Sequence, residues 1–303
     1  MPRTVAISGS SGLLGSALGA ALRARGDRVR RLVRREAQEP DEVSWDPSGK
    51  RLGPEVLDGV DAVVHLAGEN IAGKRWTKAV KESIRASRVD GTRLLAEACA
   101  ACADSDDGPG VLVCASATGV FGDRGEEELD EASTAGAGFL ADVCQAWEAA
   151  ADPARAAGVR VVHGRLGMVL SRDGGGLAKM LPIFRAGAGG RLGSGRQYVP
   201  YVALPDAVAA YLRLIDDDGL VGPVHVVAPE PVTSSEFARA LGAAVGRPAF
   251  MPAPAFALRL ALGEMADELL LAGQRVVPRA LLEAGFEFAY PGIGAALGAA
   301  LEE

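Results

Sequence analysis

Apolar positions along the chain fall into two alternating patterns. Arg3–Ser8 (RTVAIS) is a short apolar run that ends in a Gly-rich turn, and SALGAALRARG after it has helical spacing and stops at Gly26. DRVRRLVR alternates like a strand, and DAVVHLAG is a short apolar strand. The segment from Thr77 to Ala103 then carries a helical stripe: Val80, Ile84, Ser87, Gly91, Leu94, Ala98, Cys102. VLVCASA reads as a buried strand. A polar loop leads to GFLADVCQAWEAA, a helix with an apolar face at Leu140, Val143, Cys144 and Trp147, and then to the strand VRVVHGR. Short, wholly apolar strands that alternate with helices predict an α/β protein, a doubly wound parallel sheet of Rossmann type with helices on both faces.

Beyond Leu166 the pattern changes. GGGLAKMLPIFRAGAGGRLGSGRQYVPY is Gly-rich and loop-like with one short helix. DAVAAYLRLID is helical, GPVHVVA is a strand able to rejoin the sheet, and the chain from Glu230 is mostly helical. The expected division is residues 1–165 as a dinucleotide-binding domain, with 199–228 returning to it. Residues 166–198 and 229–303 form a smaller, mainly helical substrate lobe.

The 303 residues give room for an ample core, and 49% hydrophobic with 23% charged residues is an ordinary globular composition. A net charge of −7 without a long basic tract argues against nucleic acid or an anionic membrane as partner. No apolar run is long enough to span a bilayer, and the N-terminus does not read as a signal peptide. A cytoplasmic location is expected. Cys99 and Cys102 form a lone C-x-x-C on a helix without further ligands, and His65, His163 and His225 stand singly in strands. They read as packing residues, and no metal site is expected.

Gly9-Ser10-Ser11-Gly12-Leu13-Leu14-Gly15 lies between the first strand and the first helix. A strand, a glycine turn and a helix aim backbone N–H groups and the positive end of the helix at a pyrophosphate. Gly9 permits the turn, Gly12 lets phosphate approach, and Gly15 lets helix and strand pack closely. The second strand ends at Val33-Arg34-Arg35, where an NAD site would place a carboxylate for the ribose hydroxyls. A guanidinium there suits a 2′-phosphate. The predicted cofactor is NADP(H), held through Val33 and Arg34, with Arg30, Arg31 and Arg35 solvating the strand end.

These residues, together with HLAGENIAGKRWT, SRVDGT, ASATGVFGDRGEE, GGGLAKMLPIFRAGAGGRLGSGRQY and the tail from GRPAFMPAPAF onward, resemble an atypical group of extended, epimerase-like short-chain dehydrogenase/reductases with a C-terminal domain of unknown function. The resemblance covers nearly the whole chain. It implies that Leu66, Ala67 and Gly68 lie beside the cofactor and that Arg88 stands where ordinary members carry Asn. It further implies that Ser116 hydrogen-bonds substrate or cofactor, and that Leu166 and Gly167 meet the nicotinamide end. It implies an oxidoreductase or epimerase-like reaction on a polar small molecule, and a homodimer.

The usual proton shuttle of that family, Tyr-x-x-x-Lys, is missing. With Glu148 as anchor, its two positions hold Leu140 and Cys144; one residue earlier they hold Phe139 and Val143. Candidates for the chemistry are Ser116, Cys144 with its pKa lowered by Arg88 or the cofactor, and Tyr198, with Tyr201, Asp123 and Arg124 nearby. Arg196 and Gln197 offer donors for an anionic or polyol group. Where relatives carry a His and paired acids, this chain has Ala203, Pro205 and Asp206. The alternative is an NADPH-binding sensor or regulatory protein without catalysis. A structural role in cell division has no support in the residues.

Overall fold

The computed structural model describes residues 2–49, 52–103, 105 and 108–302. Seven parallel strands form one sheet: β1 Thr4–Ser8, β2 Arg28–Val33, β3 Glu42–Ser44, β4 Ala62–His65, β5 Val111–Ala117, β6 Arg160–Leu166 and β7 Gly222–Val226. Their spatial order is 3-2-1-4-5-6-7. The order reverses at β1, so a crevice opens between the carboxyl ends of β1 and β4, where α/β sheets bind ligands.

Alternation along each strand distributes the apolar side chains to two cores. Val5 and Ile7 of β1 join Leu18 and Leu22 of α1 (Leu13–Ala24) and Tyr211 and Leu214 of a later helix on one face. Ala6 of the same strand joins Leu95 and Cys99 of α2 (Lys78–Ala101) on the other. Burial on both faces is why β1, β4 and β5 read as apolar runs, whereas β2, nearer the sheet edge, alternates. Thr77 lies just outside α2, where its hydroxyl accepts from Val80 N at 3.3 Å as a cap. Next come α3 (Phe139–Ala149) and α4 (Asp152–Ala156), the latter packed on α2.

After β6 the chain builds a third packing centre. Leu177, Leu181 and Phe184 of α5 (Gly175–Arg185) meet Phe237 and Leu241 of α7 (Ser234–Ala244) and Leu297 of the terminal helix Ile293–Glu302. Between them α6 (Leu204–Asp216) returns to the main sheet and packs on α1. The short strand Tyr201–Ala203 stays outside the main sheet and pairs with Met168–Leu170. Asp206 is buried, and it accepts from Ala289 N at 2.8 Å and Tyr290 N at 2.9 Å, fastening the tail to α6. Helix α8 (Ala255–Leu262) lies on the surface. Among the described residues no helix is long and apolar enough to cross a membrane.

The three histidines are buried in strands. His65 Nδ1 lies 2.6 Å from Ser8 Oγ, and His225 Nδ1 donates to Val277 O at 2.9 Å. Burial pushes His65 and His163 down to about 4 from their usual 6.5. Both are therefore neutral when folded, while the unfolded chain protonates them below pH 6.5. Their contribution to stability is complete above pH 6.5 and is lost as pH falls toward 4, by roughly 3 kcal/mol each. Urea unfolding at pH 7 and pH 4.5 should show this loss. His163→Gln should make the fall shallower.

Candidate functional site

The glycine loop works by close backbone approach. Gly9 has φ +72°, and a Cβ on it would lie 2.8 Å from Ala67 N and Leu66 C; a Cβ on Gly15 would lie 2.2 Å from Gly9 O. No larger residue fits either place. Gly12 N donates to Gly9 O at 3.0 Å, and no side chain caps the start of α1. The first-turn N–H groups of α1 have no partner within the helix and suit an anion. Gly9, Ser10, Gly12, Val33, Arg34, Leu66, Ala67 and Gly68 line a cavity of about 760 Å³ at this edge. Leu14 is buried below it in the core, and Leu13 lies where a side chain on Gly174 would touch it.

The arginines at the end of β2 have distinct fates. Arg30 donates to the carbonyls of Val56 and Asp58, Arg31 pairs with Asp41, and Arg35 grips Glu42 with two bonds of 2.8 and 2.7 Å. Arg34 is exposed on the cavity wall with no hydrogen bond or ion pair among the described residues. It is the guanidinium there left free for a phosphate, so the donor set fits NADP(H).

A second cavity of about 490 Å³ lies at the carboxyl ends of β5 and β6, beside α3. Leu140, Val143, Cys144 and Trp147 of α3 all face it, as do Arg88, Thr118, Leu166, Gly167 and Met168. The two positions of the missing Tyr–Lys pair thus lie together on the wall, one helical turn apart. Burial, reinforced by Glu148, pushes the Cys144 thiol up to about 12, and the opposing pull of Arg88 does not offset it. The expectation of a pKa lowered by Arg88 therefore fails, and Cys144 is a neutral thiol at pH 7.

Ser116 is buried and is not among the residues that line this cavity. Its hydroxyl donates to Glu148 Oε1 at 2.6 Å, and Glu148 pairs with Arg165 through bonds of 2.8 and 2.9 Å. Burial works to raise Glu148, but Arg165 prevails and holds its carboxyl below the usual range. Tyr198 is not on the cavity wall: its ring lies 5.7 Å from the Arg275 guanidinium, and its backbone pairs with Thr233. The buried Tyr201 phenol donates to Glu230 O at 3.2 Å. Asp123 accepts from Gly273 N and Arg124 pairs with Glu127, so GDRG braces a turn. Gln197 donates to the carbonyls of Leu192 and Leu270, leaving no free donor for a polyol.

Other residues of the wall escaped the sequence reading. The carboxylate of Glu268 accepts from Phe139 N and Leu140 N, each at 3.1 Å, and so caps α3 from the C-terminal segment. Gly138, with φ +115°, offers no capping side chain, which was the only local hint. Lys179 donates to Ala72 O at 2.8 Å, and Gln274 donates to Gly122 O at 3.0 Å. The expected polar small molecule meets walls that are largely apolar, for Leu140, Val143, Trp147, Met168, Leu269 and Leu270 make up much of them.

Comparison with known proteins agrees with this geometry. Residues 5–228 match the model of the NAD dependent epimerase/dehydratase family, and residues 253–300 match a domain of unknown function, DUF1731. An epimerase family protein of Mycobacterium tuberculosis is 49% identical over 294 residues, 97% of this chain and 96% of the relative. The crystal structure of human epimerase family protein SDR39U1 (isoform 2) with NADPH superposes with a TM-score of 0.88 at 33% identity, covering 99% of each chain. The structure of a nucleoside-diphosphate sugar epimerase from Corynebacterium glutamicum gives a TM-score of 0.83 at 39% identity, over 99% of this chain and 58% of that one.

The Glu148–Arg165 pair has a stability consequence. Its side chains are 16% and 10% exposed, so removing one leaves a charge without partner in a poor solvent. Glu148→Ala should cost about 3–5 kcal/mol. Ser116→Ala, which loses only a hydroxyl donor, should cost about 1 kcal/mol. Guanidinium unfolding of both variants checks the ranking.

Proposed function

The chain belongs to the NAD dependent epimerase/dehydratase family, and from that premise we propose that it is an NADP(H)-dependent oxidoreductase or epimerase-like enzyme that works without the Tyr–Lys pair. The observation that carries this reading is the unpaired Arg34 at the end of β2, beside a glycine loop shaped for a pyrophosphate. The human relative crystallised with NADPH supports the choice of cofactor.

In this reading the N–H groups at the start of α1 hold the pyrophosphate, Arg34 holds the 2′-phosphate, and Leu66 to Gly68 lie against the ribose. Leu166 and Gly167 border the nicotinamide end. When bound, the cofactor supplies or accepts a hydride. Arg88 is fixed by bonds of 3.1 Å to Ile84 O and Glu69 O, and lies 5.1 Å over the ring of Trp147. Its charge is placed to orient an oxygen of the ligand. Leu140 has no proton to give, and Cys144 keeps its own. Lys179 and Glu268 are the remaining groups of the wall able to exchange a proton.

A second reading, cofactor binding without turnover, is favoured by one observation: the catalytic pair is replaced by Leu140 and a buried neutral thiol. Single-turnover oxidation of bound NADPH on mixing with an added ketone as hydride acceptor separates the two.

Arg34→Ala should weaken NADPH by about 10- to 100-fold, the worth of a charge-assisted phosphate contact. NADH binding should hardly change. Fluorescence titration of both nucleotides measures this, and equal effects on the two would remove Arg34 from the phosphate site.

A further inference from the structure

We infer that the cavity beside α3 takes an apolar, unphosphorylated molecule with one oxygen-bearing head, a carbonyl or a carboxylate, that meets Arg88. The inference deepens the NADP(H) reading and rests on it for which end of the crevice receives substrate. Three observations carry it.

The first is the wall. Leu140, Val143, Met168, Leu269 and Leu270 close the cavity with Trp147, and its volume of about 490 Å³ suits a small organic molecule. The second is Arg88. Its guanidinium spends two N–H groups on the carbonyls of Ile84 and Glu69 and has no carboxylate partner among the described residues. Five donors leave three. Burial lowers its pKa, so the charge is held in a costly place and favours an oxygen acceptor from outside the chain. The third is how few cations the cavity offers a diphosphate: among the described residues that line it, only Arg88 and Lys179 are cationic, and Lys179 already donates to Ala72 O at 2.8 Å. A sugar nucleotide's two phosphates call for fixed positive charge on several sides, which this wall does not provide.

The test uses the whole chain and the tryptophan emission, to which Trp147 on the wall contributes. Decanoate and 2-decanone probe the two heads, and UDP-glucose probes the sugar-nucleotide alternative, each titrated with and without NADPH. At least one ten-carbon probe should saturate the quench, and UDP-glucose should not. Leu269→Gln, on the half-buried rim, should weaken that probe about fivefold. Arg88→Gln should weaken decanoate, if that is the bound head, about tenfold. The preferred probe identifies the head. Failure of both ten-carbon probes to bind overturns the inference, and so does binding that neither variant alters. Failure of NADPH alone to bind would instead remove the cofactor reading, since the probe titrations without NADPH stand by themselves.

Discussion

The rest of the molecule depends on one close approach. Gly15 at the start of α1 lies against the carbonyl of Gly9, and Gly9 in turn lies against the backbone of Leu66 and Ala67. Three main chains thus meet without side chains between them. This contact lets α1 point its uncapped N-terminus into the crevice between β1 and β4. A methyl group at Gly9 or Gly15 would push α1 off the sheet. The helix would then lose both its core packing and its aim at an anion.

Helix α3 is the second organising element. Glu268 caps its start from more than a hundred residues away in sequence. Near its end Glu148 ties Ser116 and Arg165 together, and Trp147 Nε1 donates to Thr92 Oγ1 of α2 at 2.8 Å. Leu140 and Cys144 are therefore held firmly on the cavity wall although neither can shuttle a proton at neutral pH. Of the charges on that wall, Arg88 comes from α2 and cannot act as an acid near pH 7, which leaves Lys179 and Glu268. The glycine loop and parallel sheet of the family are present, while Leu140 and Cys144 stand at the two positions of its usual Tyr–Lys pair.

The C-terminal segment completes the cavity instead of standing apart. Glu268, Leu269, Leu270 and Gln274 close one side of it. Arg275–Val276 pairs with Glu128–Leu129, and Asp206 anchors the chain at Ala289 and Tyr290. These ties bring the later segment against the parallel sheet around the cavity beside α3.

The sequence by itself determined the parallel sheet and the glycine loop. Doubly buried strands are apolar throughout, and the spacing of Gly9, Gly12 and Gly15 answers to a local backbone requirement. It also placed Leu140 and Cys144 on one helical face, because one turn of helix is a local distance. It singled out Arg34, since only strand order and position were needed. Tertiary structure alone decided the fate of side chains whose partners are distant in sequence. Ser116 turns to Glu148 and Arg165, Gln197 is spent on the carbonyls of Leu192 and Leu270, and Tyr198 lies against Arg275. Burial, which no residue pattern gives quantitatively, outweighed the pull of Arg88 on Cys144. Glu268 joined the site because two segments 129 residues apart come together there, an encounter set by packing and not by local sequence.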